Sequence, residues 1–168
     1  TPYSSKKKKE KSDLPAVSTK DWQLILVNRD NVKPELNPQL TDVDAIKVDS
    51  RIVEPTRQFL EAARKIAPEE TLISGYRSVA EQTELYNERV AQLEASGLSH
   101  EEAEKQVQTQ VQVPGASEHQ TGLAIDMSVE AGQSDELGLQ LAAIAPQYGF
   151  VLRYPCLLYT SPSPRDKR

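Results

Sequence analysis

The sequence predicts an α+β domain, a small antiparallel sheet with flanking helices. Apolar stripes of helical period alternate along the chain with short runs in the strand period. The strand runs lie close to turn residues, and no glycine-rich phosphate loop leads into a helix, so a doubly wound parallel sheet is not favoured. The length of 168 residues, with 38% hydrophobic and 27% charged content, suits a single core in a globular chain.

Residues 1–20 read as a flexible basic linker. Lys6-Lys7-Lys8-Lys9-Glu10-Lys11 stands among serines with no apolar periodicity. Such a block suits either an arm drawn to an anionic surface or, as the plainer reading, a solvated linker. Trp22-Gln23-Leu24-Ile25-Leu26-Val27 is a short apolar run closed by Asn28-Arg29-Asp30-Asn31, which predicts a strand and a turn. Lys33-Pro34 and Asn37-Pro38 keep the following chain extended. Ile52, Val53, Thr56, Phe59, Leu60, Ala63 and Ile66 recur three or four apart, so a helix is expected over 51–67, with Pro55 tolerated near its first turn. Thr71-Leu72-Ile73-Ser74 is the next strand and delivers Tyr76 and Arg77 to its end.

Ser78 with Glu81 forms a capping box, opening a helix through Leu85, Tyr86, Val90 and Leu93 to a stop at Gly97. Ser99 with Glu102 opens a second, glutamine-rich helix reaching about residue 111. His100 falls in its first turn among Glu101, Glu102 and Glu104 and reads as solvent-exposed, not as a ligand. Pro114-Gly115 leads into a loop around His119. Residues 123–128 alternate in the strand period. Ser134 or Asp135 starts a helix carrying Leu137, Leu139, Leu141, Ala142, Ile144 and Ala145, which Pro146 ends near Tyr148-Gly149. Phe150-Val151-Leu152-Arg153-Tyr154 predicts a last strand. Residues 156–168 break this alternation and read as a non-native tail, translated adapter or vector sequence, leaving 21–155 as the folded domain.

Ser117-Glu118-His119-Gln120-Thr121-Gly122-Leu123-Ala124-Ile125-Asp126 concentrates the chemistry. Asp126 is a carboxylate on an otherwise apolar strand, costly to bury without a positive partner. The small Ala124 leaves room for one, and Gly122 lets the backbone turn so that the His119 imidazole reaches the same point. That nitrogen and oxygen pair would suit zinc. The plainer reading is a loop histidine beside a hydrogen-bonded aspartate.

The pattern Ser-x-His-x-x-Gly-x-Ala-x-Asp resembles the signature of the zinc carboxypeptidases of the VanY type. Upstream, Ser74-Gly75-Tyr76-Arg77-Ser78-Val79-Ala80-Glu81-Gln82 resembles that family's second signature. The resemblance runs from about residue 22 to 155 and is strongest to the L,D-carboxypeptidases of Gram-positive cell walls. It implies the zinc D-Ala-D-Ala carboxypeptidase fold shared with Hedgehog domains, Zn2+ as cofactor, and His119 and Asp126 as metal ligands. It also implies that Arg77 stabilises the charged intermediate or holds a substrate carboxylate, and that Tyr76, Ser78, Gln82 and Ser117 line the peptide pocket. The implied reaction removes the terminal D-alanine from peptidoglycan stem tetrapeptides. In the family a Glu-x-x-His motif supplies the third ligand and the general base; this sequence contains no such motif and no histidine after His119. A chain cut short before that motif, inactive or very weak, is therefore expected.

A net charge of −5 argues against nucleic acid as partner. Cys156 is the single cysteine, which excludes an intramolecular disulfide. No apolar run approaches the ~20 residues of a membrane span. The resemblance implies a monomeric domain of the Gram-positive cell envelope, extracytoplasmic and membrane-tethered through an N-terminal anchor missing here. Three other readings stay open: a D,D-carboxypeptidase acting on pentapeptides, a non-catalytic stem-peptide binding module, and a metal-dependent endopeptidase that cleaves cross-bridges.

Overall fold

The structure, a computed structural model, describes residues 21–153. The expected basic linker, residues 1–20, and the expected non-native tail, residues 156–168, lie outside the described residues. Four strands and four helices follow one another as β1 (Leu40–Val43), β2 (Ile46–Asp49), α1 (Val53–Ile66), β3 (Thr71–Ser74), α2 (Val79–Ala95), α3 (His100–Val107), β4 (Asp126–Ser128) and α4 (Asp135–Ile144). The sheet structure is two antiparallel pairs, β1 with β2 and β3 with β4. The α+β reading holds, with the sheet divided in two.

The β1–β2 hairpin went unread in the sequence. Its two-residue turn is Asp44-Ala45, and Asp44 sits at φ 50°, a left-handed conformation that aspartate tolerates. Val43, Ile46 and Val48 face inward and pack with Leu60 of α1 and Leu72 of β3 to form the main core. A satellite core joins α2 to α3 through Tyr86, Val90, Ala103 and Val107. Both capping boxes form as read, at Ser78 with Glu81 and at Ser99 with Glu102. The second helix is shorter than expected, because after Val107 the chain tightens into turns.

Three strand expectations need correction. Residues 22–27 are not a strand: Trp22–Leu24 is a 3-10 turn, and the run pairs with no strand among the described residues. Trp22 instead lies under the Arg51 guanidinium, 4.2 Å from its ring centre, a cation–π contact. Residues 150–153 form no strand either, and Tyr154 lies outside the described residues. Phe150 stacks on Phe59 of α1 at 5.4 Å, and Tyr148 stacks on the same ring at 5.9 Å, so side-chain packing directs the backbone there. Of the alternating run 123–128, only Asp126–Ser128 is strand.

Two features aim β3 at its neighbours. Gly75 lets the strand end pass β2: a Cβ there would lie 2.3 Å from the Lys47 carbonyl oxygen, which accepts from the Tyr76 amide at 2.6 Å. The β3–β4 register slips between Leu72 and Ser74, a bulge that leaves Ile73 exposed and sets Ser74 opposite Asp126. Among the described residues no helix is long and apolar enough to cross a membrane.

Candidate active site

The bulge makes Ser74 and Asp126 a cross-strand pair, and the Ser74 hydroxyl donates to Asp126 Oδ2. His119 reaches the same oxygen from a 3-10 turn, Glu118–Thr121, with Nε2 3.2 Å from Asp126 Oδ2. Its Nδ1 stands 2.7 Å from the Gly75 carbonyl oxygen. A carbonyl only accepts, so Nδ1 carries the proton and Nε2 is the atom left to face the carboxylate. The turn closes at Gly122, φ 72°, whose carbonyl accepts from the Asp49 amide at 2.9 Å. Asp49 itself is buried and takes two hydrogen bonds from the Arg51 guanidinium. The His119 turn therefore rests on the buried end of the β1–β2 hairpin.

Burial pulls the His119 pKa down, but the Asp126 hydrogen bond and charge, with the Gly75 carbonyl, outweigh it and leave the value raised. For Asp126, burial pushes up, while His119, Ser74 and the positive charge of Arg77 hold the carboxyl below its ordinary range. Each partner keeps the other charged.

The segment between β3 and α2 supplies the remaining groups. The Arg77 amide donates to the His119 carbonyl at 3.1 Å, tying the two signature stretches together. Arg77 Nη1 donates to Gln82 Oε1 at 3.0 Å, and Gln82 Nε2 donates to the Gln112 carbonyl at 2.6 Å. Gln82 is fully buried, one turn into α2, where its amide both fixes the guanidinium and secures the loop beyond α3. Ser78 caps α2 and Ser117, also buried, accepts from the His119 amide at 3.3 Å. His100 lies elsewhere, exposed and paired with Glu94. Glu118 points away from Asp126 to Arg153, 2.8 Å from its Nε.

Two site residues carried no role in the sequence reading. Ser74 stood inside the quoted motif, but only the bulge shows that it meets Asp126. Glu35, in an extended loop, accepts from the Tyr76 hydroxyl at 2.7 Å and from the Val79 amide at 2.7 Å. Burial and this partner push the Tyr76 phenol up to about 12. Its contacts span 41 and 44 residues, beyond the reach of local pattern.

His119 Nε2 and Asp126 Oδ2 converge as two donors of the hard-to-borderline type that zinc accepts, and the proton on Nδ1 directs the Nε2 lone pair to that point. Zinc sites with open coordination use three protein ligands. Among the described residues no group of three or more histidine, cysteine, aspartate or glutamate side chains could hold a metal. The donor set fits two ligands of such a site.

Residues 45–160 match the family VanY, D-alanyl-D-alanine carboxypeptidase. The chain is 35% identical over 139 residues to a D-alanyl-D-alanine carboxypeptidase of Enterococcus faecalis, covering 80% of this chain and 52% of the relative. It is 37% identical over 94 residues to the bifunctional D-Ala-D-Ala dipeptidase and carboxypeptidase VanXYC of Enterococcus gallinarum, covering 50% and 45%. The chain thus spans about half the length of these curated relatives. In three dimensions it is similar to the vancomycin-resistance D,D-pentapeptidase VanY from a VanB-type cassette, solved as a variant with Zn(II), with a TM-score of 0.71, 33% identity and coverage of 84% and 82%. The LdcB LD-carboxypeptidase matches with a TM-score of 0.64 and 27% identity, over 83% and 70%.

Proposed function

Because the chain belongs to the VanY family of D-alanyl-D-alanine carboxypeptidases, we propose that its domain binds peptidoglycan stem peptides ending in D-alanine and serves removal of that residue. The observation that carries this is the His119–Asp126 pair, 3.2 Å apart, with Arg77 tied to the same turn. His119 and Asp126 would hold zinc, which when bound supplies a water acidic enough to act as nucleophile near neutral pH. The Zn(II) in the related VanY structure supports that assignment. Arg77, its guanidinium held by Gln82, would take the substrate carboxylate or the developing negative charge through paired N–H donors. Tyr76, Ser78 and Ser117 would border the peptide.

General-base chemistry needs a carboxylate within reach of the attacking water. Asp126 is committed to His119 and Ser74, and Glu118 to Arg153. With no Glu-x-x-His in the sequence, we propose that this chain on its own hydrolyses weakly or not at all while keeping its peptide site. The work would take place at the cell envelope outside the membrane, where stem peptides are found, and the domain would act as a monomer.

The L,D reaction on tetrapeptides is the first reading, supported by the likeness to the LdcB LD-carboxypeptidase. The D,D reaction on pentapeptides is the second reading, supported by the higher identity and TM-score to the D,D-pentapeptidase VanY. Calorimetric titration with a tetrapeptide and a pentapeptide stem tests both. Binding of either that Arg77→Ala weakens at least about tenfold supports the site, and the tighter ligand decides the class. Failure of both peptides to bind would overturn it.

A further inference from the structure

The loop before β1 touches both signature stretches. The Lys33 amide donates to the Gly115 carbonyl at 2.9 Å, and the Lys33 carbonyl accepts from the buried Gln120 side chain at 3.1 Å, so this loop braces the His119 turn from behind. Two residues on, Glu35 spends each carboxylate oxygen on a different donor. Oε1 takes the Tyr76 hydroxyl and Oε2 takes the Val79 amide. Val79 is the first residue of α2, so its amide is one of the donors that a helix leaves unpaired, at the positive end of the helix dipole. Ser78 and Glu81 close a capping box on either side of it, which leaves the Val79 amide to Glu35.

Arg77 lies between these two anchors. Its backbone is held at one end by the Tyr76 phenol and amide, at the other by Val79, and in the middle by the His119 carbonyl. Loop residues on such a corner would otherwise be free to rotate, and an arginine that must meet a carboxylate depends on backbone placement within a fraction of an ångström.

We propose that Glu35 is a positioning residue: it clamps the Tyr76–Val79 corner so that Arg77 is presented to the peptide beside the His119–Asp126 pair. Glu35 does not itself touch the reacting atoms; it acts through Tyr76 and Val79. The clamp requires a hydrogen-bonding group at both oxygens' positions but not the full charge, because a glutamine can accept from the Val79 amide with its carbonyl oxygen and donate from its amide nitrogen to the Tyr76 hydroxyl oxygen.

The inference rests on the proposed peptide site, so its test pairs a readout that needs no peptide with one that does. Amide hydrogen exchange and peptide titration are run on the whole chain, on Glu35→Ala and on Glu35→Gln. In Glu35→Ala the Arg77 and Val79 amides are expected to exchange at least about tenfold faster while β1, β2 and α1 keep their protection. The affinity for a stem peptide ending in D-alanine is expected to fall about tenfold. Glu35→Gln restores both to within about threefold. If Glu35→Ala unfolds the chain, Glu35→Gln against Glu35→Leu carries the same comparison. Unchanged exchange at Arg77 and Val79, or unchanged affinity in a chain that binds peptide, overturns the clamp. Faster exchange in a chain that binds no peptide would support the clamp and sink the peptide-site reading instead.

Discussion

His119 Nε2 lies 3.2 Å from Asp126 Oδ2 while its Nδ1 is committed to the Gly75 carbonyl, so a single imidazole face is left for a proton or a metal. In the metal-free chain the pair makes stability depend on pH. The raised His119 value gives stabilisation that is full below the ordinary 6.5 and is lost as pH climbs through the folded value. The depressed Asp126 value gives stabilisation present above the ordinary 3.8 and lost as pH falls through the folded value. The melting-temperature difference between the metal-free chain and Asp126→Asn is therefore expected to be greatest between pH 3.8 and 6.5 and to shrink on both sides. A difference that does not vary with pH would refute the pairing.

Gly122→Ala is expected to cost about 1–3 kcal/mol in denaturant titration. The residue holds φ 72°, and an added Cβ would meet the Asp49 amide nitrogen at 3.0 Å. The displaced turn carries His119, so metal affinity should fall with stability. A neutral substitution would show that the hairpin does not support the turn.

Gln82→Ala should cost about 2–4 kcal/mol. It strips the Gln112 carbonyl of its donor, releases Arg77 and leaves a cavity where a fully buried side chain stood. Affinity for a D-alanine-ended peptide should drop alongside, whereas Arg77→Ala, which leaves the Gln82–Gln112 bond in place, should lose affinity at a smaller cost in stability.

Glu70 is buried just before β3, and both its carboxylate oxygens lack a hydrogen-bond partner among the described residues. Burial pushes its pKa up. A folded value above the unfolded one means that the native state holds its proton longer, so the penalty is absent below 4.5 and grows as pH rises through the raised value. Glu70→Met should accordingly stabilise the chain at pH 7, by about 1 kcal/mol, and much less at pH 4. Equal effects at the two pH values would rule out an ionisation penalty.

The sequence made legible whatever local physics decides. Ser78 and Ser99 announced their helices because a capping box is a four-residue event. His119 and Asp126 were readable as a pair because a glycine turn and a short strand separate them. The failures share a cause in contacts distant along the chain. Residues 22–27 and 150–153 carried strand-like patterns but found aromatic and cationic partners, Arg51 and Phe59, in place of a sheet edge. Asp44-Ala45 hid a hairpin because the turn depends on an aspartate in a left-handed conformation, not on the usual glycine. Glu35 lay in an extended loop with nothing nearby to mark it.

Zinc titration of the metal-free chain, beside His119→Ala and Asp126→Ala, tests the site most directly. The expected result is one zinc per chain, bound weakly for want of a third ligand among the described residues, weakening further as pH falls and His119 takes up its proton, and abolished by either substitution. Zinc binding that survives both substitutions, or none at any pH, would contradict the assignment of His119 and Asp126 as the metal pair.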